Sequence, residues 1–218
     1  MGPRQVGKST LAYSIIPKDA KVLEINGDNT DVQTMFVNVD EAKMKILIGN
    51  NNFLFVDEAQ KIENVGNMLK IVAEKFKDVK IIVTGSSAFK LAEAVNESLT
   101  GRKREFKLYP LSFKEMADDT SVLDESRMID HRLIYGYYPE VVTSVGDEKE
   151  VLKELIDSYL YKDVMEENNI AKPDKLVKLV QALAFQIGST VSATELAGLV
   201  GIDAKTVERY IEILERSY

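Results

Sequence analysis

The residues best suited to chemistry stand at the start of the chain. Gly2-Pro3-Arg4-Gln5-Val6-Gly7-Lys8-Ser9 matches G-x-x-x-x-G-K-[ST] at every fixed position, and Thr10 follows it. Glycines at those positions let the backbone curl so that successive N–H groups point inward at phosphate oxygens. A helix that begins at the loop adds the positive end of its dipole. Lys8 is placed to reach the β- and γ-phosphates of a nucleotide, and the Ser9 hydroxyl to ligate Mg²⁺. A second candidate follows the apolar run Phe53-Leu54-Phe55-Val56, which ends in Asp57-Glu58. Asp57 there would hold Mg²⁺, directly or through water, and Glu58 would orient or deprotonate an attacking water. The competing reading is that both acids cap the next helix. A phosphate loop followed by an apolar strand ending in Asp-Glu implies binding of ATP with Mg²⁺.

The elements that must position these groups are legible from periodicity. Residues 8–16 read as a helix that stops before Pro17, because the residue preceding proline avoids the helical region. Residues 21–26, 53–56 and 80–84 read as strands. The middle one is continuously apolar, as a parallel strand buried on both faces should be. Residues 40–48, 65–76 and 88–99 read as helices, and 104–108 as a last strand closed by Pro110. Strands alternating with helices predict an α/β fold, a parallel sheet with helices on both faces. Beyond Ser112 the strand signals fade. Residues 151–168 and 176–187 carry apolar residues at helical spacing, and 192–218 reads as two helices joined at Gly201. The expected organisation is a P-loop domain over 1–117, a helical lid-like region over 118–188, and a helix-turn-helix, an incomplete winged helix, over 189–218.

The combination resembles a prokaryotic family of predicted ATPases of the AAA superfamily, which pair an AAA-like domain with a C-terminal domain of unknown function and are similar to archaeal and STAND-type ATPases. The carrying residues are 2–9, Phe-Val-Asp-Glu-Ala-Gln at 55–60, Thr-Gly-Ser-Ser at 84–87, Leu-Thr-Gly-Arg at 99–102, Leu-Tyr-Pro-Leu-Ser-Phe at 108–113 and Gly-Tyr-Tyr-Pro-Glu-Val-Val at 136–142. The resemblance implies that Ser86 or Thr84 senses the γ-phosphate. An ordinary turn and helix cap is the alternative. It implies that Arg102 serves as an arginine finger in a neighbour's site, against a plain place in the surface cluster Arg102-Lys103-Arg104. It implies that the segment around Gly136 and Pro139 contacts adenine, against a simple turn. Members of the family carry an apolar strand before the phosphate loop, and they continue well past the helix pair. The chain therefore reads as the middle of a longer protein. Without that central strand, the flanking strands should lose partners and the loop should be mis-set and empty of nucleotide.

Bulk composition limits the alternatives. The chain has 218 residues, is 45% hydrophobic and has no Cys, which rules out disulfides and thiol catalysis and fits a cytoplasmic protein. No apolar run approaches the roughly 20 residues that span a bilayer, so no membrane partner is expected. His131 is the only histidine, so no histidine metal cluster can form, and it is expected at the surface. In the last helix Lys205, Arg209 and Arg216 stand against Glu208, Glu212 and Glu215, in a chain of net charge −7. DNA binding by the helix-turn-helix is accordingly not favoured, since a neutral helix gains little from phosphates. The expected core of that pair is Leu196, Ala197, Val200, Ile202, Val207 and Tyr210. The expected function is an ATP-binding molecular switch, an ATPase requiring Mg²⁺, whose partners are ATP, further copies of the chain and an unknown protein client. The alternatives are an ATP-gated DNA-associated regulator and a non-hydrolysing interaction module.

Overall fold

A computed structural model describes residues 1–86, 99, 101–158, 164–165 and 170–217. The chain divides into two compact units, Met1–Glu140 and Val141–Tyr218.

The first unit is built on three parallel strands, β1 (Val22–Asn26), β2 (Phe53–Asp57) and β3 (Lys80–Val83), in the order β1-β2-β3. The register sets Leu23 beside Leu54 and Ile25 beside Val56, then Leu54 beside Ile81 and Val56 beside Val83. Side chains alternate across β2, so its two faces need two covers. Leu54 and Val56 join a core with Met44 and Ile48 of α3 (Glu41–Ile48) and Met68, Leu69 and Val72 of α4 (Val65–Lys75). On the other face Phe55 meets the ring of Tyr13 from α1 (Lys8–Ile15) edge-on at 5.2 Å. Residues 53–56 are all buried, which is why the run needs no polar alternation. A short helix α2 (Thr30–Gln33) links β1 to α3. Asp40 caps α3 by accepting the Lys43 amide at 2.8 Å, and Gly49 ends it.

The predicted helix over 88–99 lies outside the described residues except for Leu99, which is buried against the same core. The predicted strand over 104–108 is not formed. Two bonds tie this stretch to Met1: the Met1 amine donates to Phe106 O and the Leu108 amide to Met1 O, both at 2.7 Å. A strand requires a repeated ladder, and a single facing residue supplies one rung. The Gly2 amide also donates to Gly85 O at 3.4 Å, just past β3. Met1 and Gly2 thus lie between the end of β3 and the 106–108 stretch. These bonds seat the first residues of the loop beside the sheet.

The unit continues through α5 (Phe113–Asp119), α6 (Val122–Arg127), α7 (Ile129–Tyr135) and α8 (Pro139–Thr143), the last crossing into the second unit. Ser112 and Glu115 close a capping box at the start of α5, and Ser121 caps α6. The contact of Ser112 holds the Glu115 carboxyl below its ordinary pKa.

Among its described residues the regular elements of the second unit are helices: the end of α8, then α9 (Glu148–Ile156), α10 (Pro173–Ala184), α11 (Ala193–Val200) and α12 (Ala204–Arg216). Leu176 and Leu179 of α10 pack with Leu196 and Val200 of α11 and Val207, Tyr210 and Ile213 of α12. The predicted core residues of the final pair are all buried except Ile202, which packs at its margin. Gly201 takes the left-handed conformation at φ 72° that lets α11 end sharply, and Lys175 donates to Val200 O at 2.9 Å. Of the helix expected over 151–168, α9 covers the first part, and the stretches 159–163 and 166–169 lie outside the described residues.

Candidate functional site

Three strands end at one edge, with Asn26 in register with Asp57 and Val83 running into Thr84. In open α/β sheets that carboxyl edge is where ligands bind. The loop 2–9 reaches this edge. Its backbone turns through left-handed conformations at Gln5 (φ 56°) and Gly7 (φ 92°), the alternation that aims amides into a common concavity. Gly7 is the N-cap of α1 and makes no side-chain cap bond, so the positive end of the helix dipole faces the loop. Gly2 is required for a different reason: a Cβ there would lie 2.1 Å from Leu108 O. Val6 is buried and anchors the loop. Lys8 is buried too, and its ammonium donates to Pro3 O at 2.7 Å. Thr10 and Gln5 are exposed.

Ser9 and Asp57, 48 positions apart, are brought into contact: Ser9 Oγ donates to Asp57 Oδ2 at 2.7 Å. The other carboxylate oxygen, Oδ1, accepts from Thr84 Oγ1 and from the Glu58 amide at 3.0 Å. Hydroxyl and carboxylate oxygens are the donor types that Mg²⁺ prefers, and one carboxylate beside a hydroxyl is the sparse protein set it takes when phosphates and water complete the octahedron. The pair therefore fits that ion.

Glu58 sits in the left-handed region (φ 46°), where a side chain is strained, and its neighbours fix it there. The Gly27 amide donates to Asp57 O at 2.9 Å and the Ala59 amide to Thr84 O at 3.1 Å. Gly27 is itself pressed against Glu58: an added Cβ would be 2.3 Å from Glu58 O. The Glu58 carboxylate accepts from Ser86 Oγ at 3.2 Å and from Gln60 Nε2 at 2.6 Å, and Gln60 Nε2 also reaches Ser86 Oγ at 2.9 Å. The two residues proposed from sequence as γ-phosphate sensors thus divide: Thr84 holds Asp57 and Ser86 holds Glu58. Gln60 was given no role in sequence, where it appears only as the last residue of the stretch 55–60.

The remaining candidates stand apart from this cluster. Arg102 forms an ion pair with Glu74 at 2.9 Å on the surface. Pro139 opens α8, after Gly136 at φ 76°. The preceding segment is fixed by the Leu111 amide bonding Tyr137 O at 2.9 Å, and by Arg132 stacked over the Tyr137 ring at 5.5 Å. Burial and the Glu125 contact push the Tyr137 hydroxyl up in pKa. His131 packs against Tyr135 with the rings tilted at 44° and their centroids 4.7 Å apart. Among the described residues no cluster of three or more His, Cys, Asp or Glu could hold a metal, and no helix is long and apolar enough to cross a membrane.

A parallel sheet carrying such a loop at its carboxyl edge defines a nucleotide-binding, ATPase-like domain of P-loop character. The chain belongs to the AAA domain family, whose model matches residues 1–117, and residues 126–218 match a domain of unknown function. Two uncharacterised proteins are similar to it. One, from Methanocaldococcus jannaschii, is 26% identical over 240 residues, covering 100% of this chain and 54% of its own length. The other, from Haemophilus influenzae, is 27% identical over 176 residues, covering 76% of this chain and 44% of its own length. The chain thus spans about half the length of the curated relatives it matches.

Proposed function

We propose that this chain binds ATP with Mg²⁺ and hydrolyses it to ADP and phosphate, the change of nucleotide acting as a molecular switch. The observation that carries the reading is the 2.7 Å contact of Ser9 with Asp57, which joins the phosphate loop to the end of β2. In this reading the amides of Gly2, Pro3-flanked Arg4, Gln5, Val6, Gly7, Lys8, Ser9 and Thr10 form the phosphate-binding stretch. Lys8 leaves Pro3 O to meet the β- and γ-phosphates. Ser9 and Asp57 hold Mg²⁺, which when bound neutralises phosphate charge. Glu58 accepts a proton from the attacking water and aims its lone pair at the γ-phosphorus. Ser86 steadies Glu58, Arg102 acts on the site of a neighbouring copy in a homo-oligomer, and Pro139 borders the adenine.

Beyond the nucleotide domain at 1–117, we assign 118–188 to a lid-like region and 189–218 to a helix-turn-helix that contacts protein rather than DNA. In support of the last point, Arg216 on α12 is already paired with Glu212 of the same helix. The test is calorimetric titration of Mg-ATP into the protein and into Lys8→Ala, together with phosphate release by Glu58→Gln. Lys8→Ala should lose measurable binding. Glu58→Gln should bind normally and turn over about 100-fold slower, the usual loss for a proton-transfer group. Equal affinities in the first comparison would sink the reading.

A further inference from the structure

We infer that Gln60 is a positioning residue for hydrolysis: it ties the Glu58 carboxylate to Ser86, so that Glu58 meets its water at a fixed angle. The inference rests on the ATPase reading above and extends it to a residue with no assigned role.

One nitrogen makes the tie. Gln60 Nε2 donates to Glu58 Oε2 at 2.6 Å and to Ser86 Oγ at 2.9 Å, while Ser86 Oγ donates to the same Oε2 at 3.2 Å. The three groups close a triangle that bridges the turn after β2 and the turn after β3. The orientation of the amide is forced, because turning it over would press Gln60 Oε1 against the carboxylate. As it stands, Gln60 Oε1 is enclosed and has no hydrogen-bond partner. A buried acceptor without a partner costs stability. The side chain is thus held through its amide nitrogen, which serves Glu58 and Ser86 together.

What it adds is a single orientation for Glu58. The backbone of Glu58 is already fixed in a left-handed conformation by bonds on either side and by the close approach of Gly27. Its side chain still has free torsions, and a glutamate on such a turn would sample several rotamers. Two donors on Oε2 remove that freedom and leave Oε1 as the oxygen available to a water. Small displacements of a reacting group are costly in rate because the attack geometry is narrow.

The experiment measures Mg-ATP affinity by calorimetry, steady-state kcat and KM, and thermal melting, on the full chain. Its variants are Gln60→Ala, Gln60→Met, Glu58→Gln and the double variant Glu58→Gln/Gln60→Ala. Gln60→Met keeps the length of the side chain and removes both the tie and the unpartnered acceptor. It should melt no lower than the parent, bind Mg-ATP within about twofold, and lower kcat about 10- to 100-fold with KM unchanged. Gln60→Ala should slow turnover comparably. In the Glu58→Gln background, Gln60→Ala should add nothing, since both act through one carboxylate. Unchanged or faster turnover in Gln60→Met, with Glu58→Gln inactive, would overturn the role of Gln60 and leave the ATPase reading standing. Full turnover in Glu58→Gln would instead remove the reading beneath it.

Discussion

Removing the Glu125 carboxylate should be among the most damaging single changes in the first unit. Glu125 on α6 and Arg132 on α7 form an ion pair at 3.1 Å whose side chains are only 3% and 9% exposed. The Tyr137 hydroxyl bonds the same carboxylate, and the Tyr137 ring lies under the Arg132 guanidinium at 5.5 Å. Glu125→Ala would leave a permanently charged guanidinium enclosed with no counter-ion. Breaking a buried pair from one side costs about 3–5 kcal/mol. At about 3 °C per kcal/mol for a unit of this size, the melting point should fall by about 10–15 °C. Scanning calorimetry is the suitable assay, because two compact units can melt separately and only the first should move. The double variant Glu125→Leu/Arg132→Met removes both charges and should recover at least half of the loss, since apolar replacement of a buried pair is often neutral. A Glu125→Ala melting point within about 2 °C of the parent would refute the reasoning, as it would mean that water reaches the guanidinium.

Two further outcomes can be checked directly. The Thr206 hydroxyl and amide hold the Asp203 carboxyl below its ordinary value, so this cap contributes stability above the unfolded pKa and loses it as pH falls through the lowered folded value; Asp203→Asn should flatten the acid dependence of melting of the second unit, and an unchanged acid slope would count against the cap. The bond to Glu24 pushes the Tyr13 hydroxyl up to about 12, so in ultraviolet titration of the nine tyrosines the late component should shrink by one tyrosine in Glu24→Gln, and a late component of unchanged size would show another cause.

The first unit was legible where one physical rule dominated. Phe53-Leu54-Phe55-Val56 can be nothing but a doubly covered strand once it is short, apolar and followed by acids, and β2 occupies Phe53–Asp57. The α12 positions Val207 and Tyr210 were equally plain, and the structure adds Ile213 to that stripe and Asp203 as its cap. A helical region was expected from residue 118, but the bounds of α5 to α7 were not legible because their apolar residues do not mark a buried face: Leu123, Leu133 and Ile134 are all exposed. Their starts were nonetheless written in Ser112-x-x-Glu115 and Ser121, so capping chemistry carries information there that hydrophobic periodicity lacks. The stretch 104–108 failed in the opposite way. Its composition suits a strand, but a strand needs a neighbour, and that is not a local property.

The same distinction explains the site. The phosphate-loop pattern is local: its glycines, lysine and serine fall within eight consecutive residues, so spacing alone suggests it. The groups that hold the acids in place are not local. Thr84 reaches Asp57 across 27 positions, and Gln60 reaches Ser86 across 26. No pattern in the chain announces either contact, because each depends on β2 and β3 lying side by side in one register. Sequence could offer Thr84 and Ser86 only as a pair of alternatives for one sensing role. In the sheet Thr84 bonds Asp57 and Ser86 bonds Glu58, because successive strand ends deliver their side chains to different neighbours. Substitutions at Thr84, Ser86 and Gln60 should alter turnover more than affinity, because these side chains touch the two acids rather than the phosphate loop.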